Sequence, residues 1–175
     1  DTFVESGEIF LRGEGVMALP MYQDPIVMYW NRDLFTQAGI ISPPTSWVEV
    51  QLLPTKMTKI DANGTITQAA LALGGVNNVR HFKNILAAQI MQTGNPIVRL
   101  DRSVDSSGAL SIAPTVVLAS ARAADSALRY YVDFTNPSLA KYTWNSAKRN
   151  SLDEFVAGKL GIYFGLASEI SNIKE

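Results

Sequence analysis

His81 is the sole histidine of the 175-residue chain, and no cysteine accompanies it. Thiol nucleophiles, zinc–thiolate sites and disulfide frameworks are excluded, and no two-histidine spacing exists to hold a catalytic metal. The histidine closes a polar run, Asn77-Asn78-Val79-Arg80-His81, followed by Phe82. Amides and an imidazole suit the recognition of hydroxyl groups, and a phenyl ring can stack on an apolar ligand face. The same residues are also explained without a ligand: Asn78 as a helix cap, Phe82 as core, His81 as solvated. A second polar position is Asp24, near Tyr22 and ahead of Pro25. Its carboxylate can accept two hydroxyl hydrogen bonds, roughly twice as strong as neutral ones, although a turn aspartate before proline is common. Asp61-Ala-Asn-Gly64 opens like a calcium loop but lacks the later ligands, and a hairpin turn accounts for it. Asp153 and Glu154 are adjacent on an expected helix, where neighbours point about 100° apart. No Gly-x-Ser-x-Gly elbow or phosphate loop occurs. Binding is expected, with no enzymatic activity, cofactor or metal.

Composition narrows the partner. Fifteen Lys and Arg face 16 Asp and Glu, for a net charge of −1, so no field exists to gather nucleic acid. Hydrophobic residues make up 47% and are interleaved with turn formers, as in a folded domain. Nothing reads as a signal peptide, a lipidation cysteine or a membrane-spanning run. Absence of cysteine suits an exported protein.

The elements that must position these residues alternate in type. Short helical pieces are expected around Phe3, Val4, Ile9 and Phe10, then strands at 15–20 and 25–30. Asn31-Arg-Asp33 caps a helix over 34–38 that Gly39 ends. Ser46-Trp-Val-Glu49 has capping-box spacing, and Pro54 kinks or restarts the helix that follows. A strand is expected over 66–73, a helix over 79–92 with Phe82, Ile85, Leu86, Ala88 and Ile90 on its apolar face, and an excursion or small hairpin over 102–115. A long helix should cover 116–134, with Ala124, Ala127, Leu128 and Tyr131 on one face. Ser151-Leu-Asp-Glu154 reads as a second capping box, before a strand at 160–164 and a helix at 168–173. Trp30 and Trp47 are assigned to packing. The class is α/β.

Ala18-Leu-Pro20, Asp24, Tyr29-Trp-Asn-Arg-Asp-Leu-Phe35, Ala38-Gly-Ile40 and Pro43-Pro-Thr-Ser-Trp47, with Lys56-Met-Thr58 after them, resemble family 1 solute-binding proteins. Phe155-Val-Ala-Gly-Lys159 and Gly161-Ile-Tyr-Phe-Gly165 are similar to that family's later helix, turn and buried strand. The likeness covers residues 13–75 and 120–173. It implies a maltose-binding-protein-like, type II periplasmic-binding fold, in which two lobes close on a sugar or oligosaccharide and deliver it to an ABC permease. It assigns residues 1–22 to the tail of the first lobe and the hinge crossing, and 23–175 to an incomplete second lobe. The chain is therefore expected to be an internal fragment of an extracytoplasmic receptor, lipid-anchored through a missing N-terminus and prone to self-association at uncovered edges.

The resemblance also sharpens the site. It places ligand contacts at Tyr22 and Asp24 on the crossing, at Asn77, Asn78, Arg80 and His81, and at Phe164, Gly165, Ser168 and Glu169 after the last strand. Ala167 is small where the family carries a tryptophan-like position, which weakens any expectation of maltose-like specificity. Trp144, with Asn145, could replace that ring or cover the core. Two rivals stand beside this reading: a glycoside-active enzyme using Asp24 and Glu169, and an interaction module without transport.

Overall fold

Leu160-Gly-Ile-Tyr-Phe-Gly-Leu166 is almost uninterrupted apolar sequence, as expected of a strand buried on both faces, and the structure builds its main sheet around it. The computed structural model describes residues 11–12, 15–94, 96–104, 106–108, 110–116 and 121–173. In chain order the elements are β1 (Leu11–Arg12), β2 (Gly15–Val16), β3 (Ile26–Trp30), α1 (Arg32–Gln37), α2 (Trp47–Val50), α3 (Pro54–Met57), β4 (Lys59–Ile60) and β5 (Ile66–Leu71). They continue with α4 (Phe82–Gln92), β6 (Val98–Val104), β7 (Leu110–Val116), α5 (Ala121–Val132), α6 (Ser151–Val156), β8 (Leu160–Leu166) and α7 (Ile170–Ile173). The main sheet runs β3-β8-β5-β4; β8 pairs antiparallel with β3 and parallel with β5, so the sheet is mixed and the fold α/β.

Side-chain alternation along β3 and β8 divides the aromatics between two faces. Tyr29 stacks on Tyr163 at 6.0 Å between centroids, with Phe155 of α6 against Tyr163 at 5.8 Å. The neighbouring positions Met28 and Phe164 pair across the strands, and Phe164 meets Trp47 of α2, which in turn meets Tyr130 of α5. Close packing dictates Gly161 in the middle of β8: a Cβ there would lie 2.6 Å from both the Ala70 carbonyl and the Met57 methyl.

Helix ends follow local chemistry. Asn31 caps α1 through its Oδ1 and Leu34 N, and Gly39 takes φ +71° beyond its end. Ser46 caps α2, but Glu49 returns its carboxylate to Thr45 N and not to Ser46, so the box closes one residue early. Pro54 restarts the chain as α3. Asp61 Oδ1 accepts from Asn63 N and Thr65 N in the β4–β5 turn.

Several boundaries differ from expectation. Only Gly15 and Val16 of the expected 15–20 strand are paired, because Pro20 cannot donate and nothing described lies alongside. Helix α4 starts at Phe82, since His81 takes φ +59° and stops helical propagation from Val79. Its buried face holds Ile85 and Gln89, in place of Ala88. The 102–115 excursion is the β6–β7 hairpin, which claims Val116 from the expected long helix; α5 starts at Ala121. Asn150, one residue before Ser151, caps α6, because Ser151 Oγ is engaged by Arg80 N. Strand β8 runs through Gly165 to Leu166, and the helix after it is split into a 3-10 turn, Ala167–Glu169, and α7. The helical expectation at residues 3–10 lies outside the described residues. Among the described residues, no helix is long and apolar enough to cross a membrane, and no group of three metal-ligating side chains assembles.

Candidate functional site

Beyond Gly165, strand β8 turns through Ala167–Glu169 and folds the Glu169 side chain back under its own end. Glu169 Oε2 accepts from Leu166 N at 3.0 Å and from Tyr163 OH at 2.7 Å. Its Oε1 lies 2.9 Å from Arg80 Nε and 3.2 Å from His81 Nε2. Because a carboxylate only accepts, the imidazole donates through Nε2. A Cβ at Gly165 would collide with the Tyr163 ring and the Glu169 carboxylate, so glycine is what permits this close return.

Glu169 is only 5% exposed. Burial by itself would raise its pKa, but hydrogen bonds from Tyr163, His81 and Leu166 N, with the nearby Arg80 charge, outweigh burial and hold the carboxyl below its ordinary value. Tyr163 is pushed the other way, by burial first and then by the hydrogen bond and charge of Glu169. The opposed shifts follow from one buried hydrogen bond between the two groups.

Arg80 and His81 reach Glu169 from the segment ahead of α4. Arg80 N donates to Ser151 Oγ at 2.9 Å, and Ser151 N donates to the Asn78 carbonyl at 2.9 Å. Pinned in this way, His81 adopts a left-handed conformation, the only non-glycine described residue with positive φ. That geometry costs on the order of 1–3 kcal/mol. The imidazole forms no cap on α4 and is directed to Glu169 instead.

Asp24 completes the group from the segment entering β3. Its Oδ1 accepts from Ser168 N at 3.0 Å and its Oδ2 from Ser168 Oγ at 2.6 Å, across 144 positions of sequence. The Ser168 hydroxyl and amide hydrogen bonds lower its pKa. Tyr29, directly after Met28, donates its hydroxyl to the Leu166 carbonyl at 2.7 Å and buttresses the turn.

The structure thus gathers Asp24, Arg80, His81, Gly165, Ser168 and Glu169 at one end of the β3–β8 pair. Tyr22 lies two residues from Asp24 and is 86% exposed, and Asn77 is exposed beside the loop. Two expected contacts are corrected to internal roles. Asn78 spends its amide on the Asn145 and Lys148 carbonyls and accepts from Trp144 Nε1 at 3.1 Å. Trp144 is completely buried and has no face to offer a ligand. A ring following a loop here seals the core. Asn145 donates to Tyr142 OH.

Phe164 points to the opposite face of the sheet, where it lines an open cavity of about 280 Å³ with Met28, Pro44, Trp47, Val50 and Gln92. Trp47 packs there and donates Nε1 to Gln92 Oε1. Sequence reasoning passed over Tyr29 and Tyr163. The available signal was their place in apolar strands, where a buried phenol needs a hydrogen-bond partner.

No protein-family model and no curated protein sequence matches the chain. Among solved structures it is similar to the ABC substrate-binding protein Lmo0181 from Listeria monocytogenes, determined in complex with cycloalternan, with a TM-score of 0.59 and 16% identity. The match covers 87% of this chain and 34% of that one, so the chain spans about a third of its neighbour's length. At this identity, what the two share is the α/β fold.

Proposed function

We propose that the chain is part of the substrate-binding component of an ABC importer and takes up a carbohydrate by closure of two lobes. The observation that carries this reading is the Asp24–Ser168 pair, which ties the segment entering β3 to the turn leaving β8 beside Arg80 and His81. Polar groups from three separated stretches converge there, as a hydroxyl-rich ligand requires. The fold likeness to a protein solved with an oligosaccharide supports the ligand class. In this reading residues 1–22 belong to the first lobe and its crossing, and 23–175 to the second. A permease and an extracytoplasmic, lipid-anchored location belong to the same proposal.

The carboxylate-enzyme alternative has less to work with. Glu169 is nearly buried with both oxygens engaged, and Asp24 is held by Ser168. Neither is poised above its ordinary pKa to act as an acid.

A ligand stabilises closure only to the extent that it touches both lobes, so this chain by itself should bind weakly. Titrating 15N-labelled protein with neutral and acidic mono- and oligosaccharides should shift amide resonances near Asp24, Arg80, His81 and Ser168 at millimolar concentrations. Asp24→Ala should abolish the shifts. Absence of any response at these residues would sink the proposal, and micromolar or tighter affinity would sink the two-lobe argument.

A further inference from the structure

Resting on the receptor reading above, we infer that the site selects a saccharide bearing a carboxylate, with Arg80 as the residue that recognises the acid group.

Arg80 meets Glu169 through Nε, while its side chain remains 44% exposed. Among the described residues its two terminal amino groups make no hydrogen bond, and its guanidinium has no second acidic partner. The guanidinium is therefore held beside a nearly buried carboxylate by charge and, being partly exposed, keeps terminal donors for a ligand. A guanidinium cannot deprotonate, and its paired N–H groups match the two oxygens of a carboxylate. Pre-fixing the fork lowers the entropy lost when such a pair forms.

Asp24 keeps its charge, so the acid group belongs on the Arg80 side of the site; both Asp24 oxygens accept from Ser168, and the remaining lone pairs suit hydroxyl donors. A neutral sugar satisfies Asp24 and leaves the guanidinium to water. A hydroxylated ligand with one carboxylate satisfies both groups, and Ala167 beside Ser168 offers no stacking ring.

The test compares a galacturonic acid disaccharide with its neutral galactose counterpart, by amide shift titration at low salt. The acidic sugar should bind at least about tenfold more tightly, the usual worth of a charge-assisted pair. Arg80→Gln should erase that difference. Arg80→Lys, which keeps the charge against Glu169 and guards against misfolding, should retain only part of it, and added salt should shrink it. Equal affinity for the two sugars, preference for the neutral one, or preference surviving in Arg80→Gln would overturn the inference and leave the receptor reading intact. No response to either sugar would overturn both.

Discussion

Glu169 is the residue on which the candidate site turns, because it accepts from Tyr163, Leu166 N and His81 and pairs with Arg80, joining β8 to the segment ahead of α4 while hidden from solvent. Glu169→Gln keeps the shape but removes the charge that holds Arg80, and should cost about 2 kcal/mol, in the range of hydrogen bonds to charged groups. Urea denaturation at neutral pH measures it. The pH dependence carries a definite sign. A carboxyl whose folded pKa lies below its unfolded value contributes stability that is complete above the unfolded value and disappears as pH falls through the folded one. Glu169, Asp24 and Glu154 are all shifted downward; for Glu154, the Lys148 and Arg149 bonds outweigh burial. Stability should therefore decline from about pH 5 downward, with a shallower decline in Glu169→Gln. Identical acid limbs in the two proteins would rule out the assigned role. At this scale residue type pointed to Asp24, Arg80 and His81, and the resemblance added Ser168 and Glu169; the structure brings these five side by side. Sequence reasoning did not find that Glu169 is buried, since that depends on Gly165 letting a carboxylate return beneath its own strand.

Among the elements, α4 holds an inconsistency. Its Gln89 is 4% exposed, and among the described residues neither Nε2 nor Oε1 finds a partner. An unsatisfied buried amide costs about 1–3 kcal/mol, so Gln89→Met, which roughly conserves volume, should stabilise the protein and raise its Tm. An unchanged or lower Tm would show that the amide is satisfied in solution. The two glycines of the last helix–strand unit give an opposite contrast. Gly161→Ala forces a methyl against the Ala70 carbonyl and the Met57 side chain, and should cost about 1–3 kcal/mol by overpacking. Gly158→Ala meets open space but sits at φ +69°, and should cost about 1 kcal/mol through backbone strain alone. Chemical denaturation of the pair separates packing from conformation. The elements themselves were legible wherever an end had its own chemistry, as at Asn31, Ser46, Pro54 and Gly64. Boundaries failed where a distant partner decided them: Ser151 serves Arg80 N, so the cap passes to Asn150, and the pinned turn at His81 shortens α4.

Across the whole molecule, alternating strands and helices made the α/β class readable, while the union of Asp24 with Ser168 over 144 positions lies beyond local pattern; the resemblance offered the two residues separately, and only the structure pairs them. Among the described residues, the segment leading to Asp24 is the most exposed apolar stretch: Val16, Met17, Leu19, Met21 and Tyr22 are 60%, 64%, 61%, 90% and 86% exposed. Five large apolar side chains along seven positions exceed the scatter normal for a monomer surface, and the backbone over 17–25 forms no sheet pairing among the described residues. Apolar area and free backbone groups together favour association with any complementary surface, including a second copy of the same chain. Light scattering over a concentration series should show reversible self-association. Replacing Met17, Leu19 and Met21 by serine removes the side chains without altering a described hydrogen bond, so it should shift the protein toward monomer while the Asp24–Ser168 resonances stay in place. A monomer at every concentration would mean that this stretch folds back on the chain in solution and does not drive association.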